Sequence, residues 1–132
     1  MNEQIESVIS NALLSTSKGM GIDLRNIRLQ MRLESTNGDI SVGCYALEGT
    51  SIIGDVSWNK ILGIKYLAFK GLIIGSVEKK LLYISKELNI NKSDINVRFY
   101  AIDNRGTPNV YLFEKNKGIK ELELKELIWV QI

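Results

Sequence analysis

Histidine is absent from the 132 residues of this chain, and cysteine and proline each occur only once. Histidine is the usual proton carrier near neutral pH and the commonest metal ligand. Its absence excludes nucleophiles activated by histidine, and the single cysteine leaves no ligand set typical of zinc. We therefore expect no metal and no cofactor, and we favour a protein that is not an enzyme.

The scarcity of cysteine also bears on the compartment. Cys44 has no second cysteine with which to form an intrachain disulfide, so a reducing, cytoplasmic location is expected. The first four residues carry no positive charge and lead into no long apolar run, which argues against a secretory signal. The most apolar stretch, residues 61–74, is shorter than the roughly 20 residues of a membrane span and contains Lys65 and Lys70. We expect a soluble protein with no membrane partner.

Neither sign of charge dominates. The chain has 17 basic and 15 acidic residues, with a net charge of +2, which argues against a dedicated polyanion binder. Apolar residues make up 45% and charged residues 24%, both close to the globular average. The length predicts one domain over residues 1–132, and we recognise no internal repeat.

The first half contains the clearest local patterns. Apolar residues at three- and four-residue spacing predict a helix over residues 3–17. Strict alternation over residues 27–34 predicts a strand with one polar face, and alternation resumes over residues 40–46. Asn37 and Gly38 lie between them and are typical of a tight hairpin turn.

The middle of the chain allows more than one interpretation. Glycines interrupt residues 48–75, which favours short strands over residues 64–69 and 72–74, although a short helix that contains Trp58, Ile61 and Leu62 is the alternative. Ser76 is typical of a helix N-cap, and the apolar stripe that follows predicts a second helix over residues 77–89.

The last third predicts a meander. Alternation over residues 95–102 indicates a strand, with a return strand over 110–115 and a third over 119–124, and residues 123–127 favour a closing helical turn. Because helices and strands do not alternate regularly, the predicted fold is α+β: a mainly antiparallel sheet, built from the hairpin and the C-terminal meander, with two amphipathic helices on one face.

Motifs for catalysis are weak. Three Ser-x-x-Lys pairs occur without the partner motifs of serine–lysine enzymes, and Gly71 and Gly75 have the wrong spacing for a phosphate loop. The aspartates are scattered at predicted turns, where local hydrogen bonding explains them. An enzyme that uses carboxylates or lysine is the least favoured hypothesis.

Arginine and tyrosine side chains are the strongest binding candidates. Arg28 and Arg32 share one side of the first strand, and Arg98, Tyr100 and Tyr111 lie on later strands. If these strands are neighbours, the side chains meet on one face. Such a face has three interpretations: an ordinary polar surface, a protein interface, or a nucleic-acid site where tyrosine rings stack on bases and arginines bind phosphates.

Two further positions stand outside that face. Arg105 lies in a predicted seven-residue loop, where binding groups are common. Trp129 and Ile132 belong to an apolar C-terminal segment, which favours packing within the domain or onto a second copy.

The sequence therefore favours a non-enzymatic protein-binding or assembly module that self-associates as a homo-oligomer. The alternative is a protein that binds a small ligand, such as a nucleotide, or a nucleic acid through the arginine and tyrosine side chains.

Overall fold

A computed structural model describes residues 2–36, 39–48, 51–57, 60–63 and 69–129. They form the α+β fold that the sequence predicts, with six antiparallel strands in one sheet. The long helices are α1 (Asn2–Met20) and α2 (Lys70–Leu88). The strands are β1 (Ile27–Thr36), β2 (Asp39–Glu48), β3 (Ser51–Ser57), β4 (Ile95–Ala101), β5 (Pro108–Glu114) and β6 (Lys117–Glu123).

Short helical segments lie between these elements. One 3-10 turn (Leu24–Asn26) precedes β1, and another (Lys92–Asp94) precedes β4. Residues 60–63 are helical, and the predicted closing turn after β6 is a short helix, Leu124–Leu127.

The strand order is β3-β2-β1-β4-β5-β6, so the first and second halves of the chain meet at the centre of the sheet. At this junction Gln30 of β1 lies opposite Arg98 of β4. Leu29 pairs with Phe99 and Met31 with Val97 on either side. The β1–β4 ladder is therefore the seam that joins the two halves.

Both long helices pack on the same face of the sheet. Alternate residues of β1 and β4 point toward them, including Leu29, Met31, Val97 and Phe99, which are almost completely buried. Each such side chain contributes on the order of 1.5–3 kcal/mol by leaving water. The helices supply a matching buried stripe: Ile5, Ile9 and Leu13 from α1, and Ile73, Val77 and Leu81 from α2.

The two halves repeat one architecture, contrary to the expectation of no repeat. Each half runs helix, 3-10 turn and three antiparallel strands. Both long helices have 19 residues, and the first residue of α2 lies 68 residues after the first residue of α1. Gln30 and Arg98 have the same separation in sequence. Because Gln30 and Arg98 pair directly across the seam, they lie on the approximate two-fold axis between the halves.

The junctions between helix and strand are also duplicated. Ser17 Oγ donates a hydrogen bond to the carbonyl oxygen of Ile22, and Ser85 Oγ does the same to Ile90. A residue with positive φ ends each helix: Gly21 (65°) and Asn89 (54°). This left-handed conformation redirects the chain toward the sheet, and glycine and asparagine tolerate it best.

The two strand meanders share an irregularity as well. A β-bulge interrupts the β2–β3 pairing between Ala46 and Leu47, and another interrupts β5–β6 between Leu112 and Phe113. Bulges twist and bend a sheet locally. The outer strand pair of each half therefore contains one bulge, although the two bulges lie 66 residues apart rather than 68.

The middle of the chain differs from its predicted structure. Residues 72–74, interpreted as a strand, lie inside α2, which begins seven residues before the predicted helix. Ser76 is not an N-cap, because it lies within the helix and its Oγ donates to the carbonyl oxygen of Leu127 at 3.1 Å. The predicted turn at Asn37 and Gly38, Trp58 and residues 64–68 fall outside the described residues. Residues 60–63, which belong to the alternative short helix, are helical, and Phe69, the last residue of the possible strand over residues 64–69, is the N-cap residue of α2.

We predict that Ser17→Ala and Ser85→Ala destabilise the protein equally. Each removes the side-chain hydrogen bond from the helix to the following turn and leaves the backbone hydrogen bonds there, which should lower the free energy of unfolding by about 0.5–1.5 kcal/mol. Urea unfolding followed by circular dichroism measures the loss. Ser93→Ala, whose hydroxyl bonds only an exposed asparagine side chain, is the control. A loss in only one junction variant would contradict the equivalence of the halves.

We also predict that Asp23→Asn removes part of the acid sensitivity. The hydrogen bond from Arg25 lowers the pKa of Asp23 to about 2. A lowered folded-state pKa contributes stability above the unfolded value of about 4, and this stability is lost as pH falls toward about 2. Asn91 caps the equivalent turn in the second half without charge, so asparagine preserves the cap.

Thermal melts of the wild type and of Asp23→Asn between pH 5 and pH 2 test this expectation. The melting temperature of the variant should fall less steeply with acid. Parallel curves for the two proteins would contradict it.

Candidate binding face

The sheet face opposite the helices carries most of the candidate residues. Because β1, β4 and β5 are adjacent, they bring together side chains that lie far apart in sequence. We call this surface the arginine–tyrosine face and define it by Arg28, Arg32, Arg98, Tyr100 and Tyr111. In the described part of the chain, no helix packs against it.

Arg98 is the most deeply placed of these residues. Among the described residues, Arg98 and Gln30 are the two polar residues that are buried as a whole, at 8% and 7% exposure. Arg98 Nε donates to Gln30 Oε1 at 3.0 Å, and its guanidinium carbon lies 4.1 Å from the centroid of the Phe113 ring. A stacked, hydrogen-bonded guanidinium keeps its charge while it is held in one orientation.

Arg28 is held beside it. Its Nη1 donates to the carbonyl oxygens of Arg25 at 2.9 Å and Ile27 at 2.8 Å. Its guanidinium carbon lies 5.3 Å from the centroid of the Tyr100 ring. Arg32, farther along the same strand face, is exposed to solvent.

The charges of the two held arginines are partly desolvated. Burial lowers the pKa of Arg28 and of Arg98, and the positive charge of Arg28 lowers that of Arg98 further. Both remain protonated at neutral pH, because an arginine pKa starts above 12. In the described residues no carboxylate forms an ion pair with Arg28, Arg32 or Arg98.

A polar network borders the arginines on the β5–β6 side. Tyr100 Oη donates to Glu121 Oε1, and Asn109 Nδ2 donates to the same carboxylate oxygen at 2.9 Å. Burial, followed by the hydrogen bond to Glu121, raises the pKa of Tyr100. Tyr100 is therefore a neutral, fixed hydrogen-bonding group at neutral pH.

Aromatic rings complete the face. The ring centroids of Tyr111 and Phe113 lie 5.0 Å apart. The Tyr111 ring also lies over Gly118 of the neighbouring strand, β6. A Cβ atom on residue 118 would lie only 2.4 Å from Tyr111 Cε1. Glycine at this position makes room for the ring.

Sequence patterns identified the arginines and tyrosines but not the residues that hold them. Gln30, Asn109 and Glu121 are ordinary polar residues on strand faces, and their partners depend on the strand order. The alternation places them on the correct side of their strands. The β1–β4 pairing brings Gln30 to Arg98, and the β4–β5 and β5–β6 pairings bring Asn109 and Glu121 to Tyr100.

Arg105 does not join this face. Its backbone carbonyl accepts a hydrogen bond from Ser10 Oγ of α1 at 2.9 Å, so its loop packs toward the helix layer. Its exposed guanidinium lies 3.4 Å from the carboxylate of Asp103. The loop is fixed by Asp103, whose pKa is lowered first by the hydrogen bond from the Thr107 hydroxyl.

The C-terminal candidates lie beside α2. The backbone N–H of Trp129 donates to Ser76 Oγ at 2.8 Å, while the Trp129 side chain is 62% exposed. Leu72 and Tyr83 lie on the α2 surface that includes Ser76 and are also exposed. Ile132 lies outside the described residues.

A separate cavity of about 560 Å³ opens on the helix side, between α1 and residues 60–63. Its lining includes Ala12, Ser15 and Gly19. The corresponding positions of α2 carry Lys80, Tyr83 and Glu87, which are larger. At these three lining positions α1 therefore carries smaller side chains than α2 does at the equivalent positions.

Three further features concern metal ligands, membrane-spanning helices and the cysteine of the described residues. They contain no cluster of three or more side chains suited to a metal ion. No helix described here combines the length and apolar character needed to cross a membrane. The Cys44 side chain is buried in the core, as the strand pattern predicts.

Comparisons with known proteins find no matching family model, no matching curated protein and no matching solved structure.

We predict that Arg98→Met lowers the free energy of unfolding by about 1.5–3 kcal/mol, because it leaves Gln30 Oε1 without its charged donor. Arg32→Met is the matched control and should change stability by less than about 0.5 kcal/mol, since Arg32 is exposed. Guanidinium chloride unfolding measures both. Equal effects would contradict a structural role for Arg98.

Proposed function

We propose that this protein is a non-enzymatic binding module that engages a protein partner through the arginine–tyrosine face. The observation that carries the proposal is the set of three arginines on a sheet face that no described helix covers. Arg28 and Arg98 are held in place but have no carboxylate partner among the described residues. Aromatic residues and arginine are enriched where proteins bind one another.

The geometry supports binding better than catalysis. The hydrogen bonds on the face fix side chains against each other, as in the group formed by Tyr100, Asn109 and Glu121. Fixed side chains lose little conformational entropy when a partner binds, so such a face is prepared for binding. Cytoplasmic location is part of this proposal, because a chain with a single cysteine forms no intrachain disulfide and suits a reducing compartment.

Site-specific photocrosslinking tests the protein partner. We expect p-benzoylphenylalanine in place of Tyr111 to yield discrete protein adducts in the cells that produce this protein. The same group in place of Lys86, exposed on α2, is the control and should yield none of these adducts. Adducts that disappear after nuclease treatment would instead indicate a nucleic-acid partner. Identical adducts from both positions, or none from Tyr111, would contradict the proposal.

Self-association is a second candidate, and the exposure of Trp129 favours it. Trp129, Leu72 and Tyr83 present large apolar side chains on the outer surface of α2. Exposed apolar clusters of this kind commonly mark contacts between proteins. A second copy of the chain could bury these side chains through α2. Two copies that met through their arginine–tyrosine faces would instead place like charges against each other.

We expect Trp129→Ala to lower the native mass measured by light scattering coupled to size exclusion, because it removes the largest exposed apolar side chain of this cluster. Ile132→Asp should act in the same direction. Ile102→Ala, at an exposed residue of the loop after β4, is the control and should leave the mass unchanged. A wild-type mass of one chain, or unchanged masses in the Trp129 variant, would contradict self-association through this surface.

A further inference from the structure

We infer that the partner of the arginine–tyrosine face is an acidic protein segment whose carboxylates bind Arg28 and Arg32 beside Arg98. This inference rests on the proposed function and specifies the chemistry of the partner.

Unused donors of the two held guanidinium groups support a carboxylate ligand. A guanidinium group has five N–H donors. Arg98 uses Nε for Gln30, and Arg28 uses Nη1 for backbone carbonyls. The other nitrogens of these groups have no acceptor among the described residues. Paired N–H groups in a fixed orientation match the two oxygens of a carboxylate.

The duplicated architecture indicates that a strand of this kind forms without arginine at the positions of Arg28 and Arg32. Positions 68 residues apart are equivalent in the two halves. By that relation Asn96 corresponds to Arg28, and Tyr100 corresponds to Arg32. The second half forms the same strand with neutral residues at both places. The positive charge of β1 is therefore additional to what the strand needs.

The state of the aromatic rings argues against a nucleic acid. Bases bind single-stranded nucleic-acid sites by stacking on exposed ring faces. Here Arg98 already lies over the Phe113 ring and Arg28 over the Tyr100 ring. Glu121 adds a negative charge to the same region, where it accepts hydrogen bonds from Tyr100 and Asn109. A nucleic-acid backbone carries a charge at every nucleotide, so a strand that crosses the face would place phosphates near Glu121. A protein segment can place carboxylates at Arg28 and Arg32 and neutral side chains near Glu121.

Titration with defined probes tests the inference. The probes are a hexaglutamate peptide, a hexaglutamine peptide and a hexathymidylate oligonucleotide, each added to the ¹⁵N-labelled full chain at low salt. We expect hexaglutamate to shift amide resonances of β1 and β4, with weaker binding as salt rises. Hexaglutamine should shift none.

A double variant tests whether Arg28 and Arg32 bind the peptide. Arg28→Gln with Arg32→Gln should weaken hexaglutamate binding about tenfold, because two charge pairs are lost. Lys79→Gln with Lys86→Gln removes the same charge from exposed positions on α2 and should leave binding unchanged. The amide spectrum of each variant also reports whether the fold is intact.

Two results would overturn the acidic partner. The first is that hexathymidylate shifts the β1 and β4 resonances and binds more tightly than hexaglutamate does. The second is that hexaglutamate shifts no resonances, or shifts resonances all over the protein rather than those of this face. If protein crosslinks at Tyr111 persist after nuclease treatment, either result leaves the binding function intact and rejects only an acidic partner. Absence of those crosslinks rejects the binding function itself.

Discussion

The seam between β1 and β4 is the contact on which the rest of the molecule depends. It joins two helix–strand–strand–strand units into one sheet and places both helices on the same face. Gln30 and Arg98 meet on its approximate two-fold axis, where a charged donor and an amide acceptor satisfy each other in a nearly dry site. Removing either partner would leave a buried polar group unpaired, which is why this contact is costly to change.

The same seam creates the arginine–tyrosine face. Arg28 and Arg98 come from different units, and only the β1–β4 pairing places them side by side over Tyr100 and Phe113. Because the units share one architecture, each serves as a comparison for the other. Matched features, such as the Ser17 and Ser85 hydrogen bonds, belong to the fold. Unmatched features, such as the charge of Arg28, indicate what has been added to it.

Local patterns predicted much of the fold and the composition of the face. The alternation in β1 and the helical spacing in α1 were sufficient to predict these two elements, because each buries apolar residues on one face only. The start of α2 was missed because Gly71 and Gly75 favour short elements, yet burial of Ile73 and its neighbours outweighs their weak helix propensity. The repeat was missed because equivalent positions share burial and hydrogen bonding more than residue identity, as Asp23 and Asn91 do. Strand order depends on contacts between distant residues, so Gln30 and Glu121 could not be assigned to the face.

Cross-strand proton contacts measured by nuclear Overhauser effects test the seam most directly. The account predicts contacts between the backbone protons of Leu29 and Phe99 and between those of Met31 and Val97. It also predicts proximity of the Gln30 side-chain amide to the Arg98 Nε proton. Side chains alternate along a strand, so a register displaced by one residue would turn Arg98 toward the helices and remove it from the face. Contacts that pair Gln30 with Phe99 would therefore contradict the account.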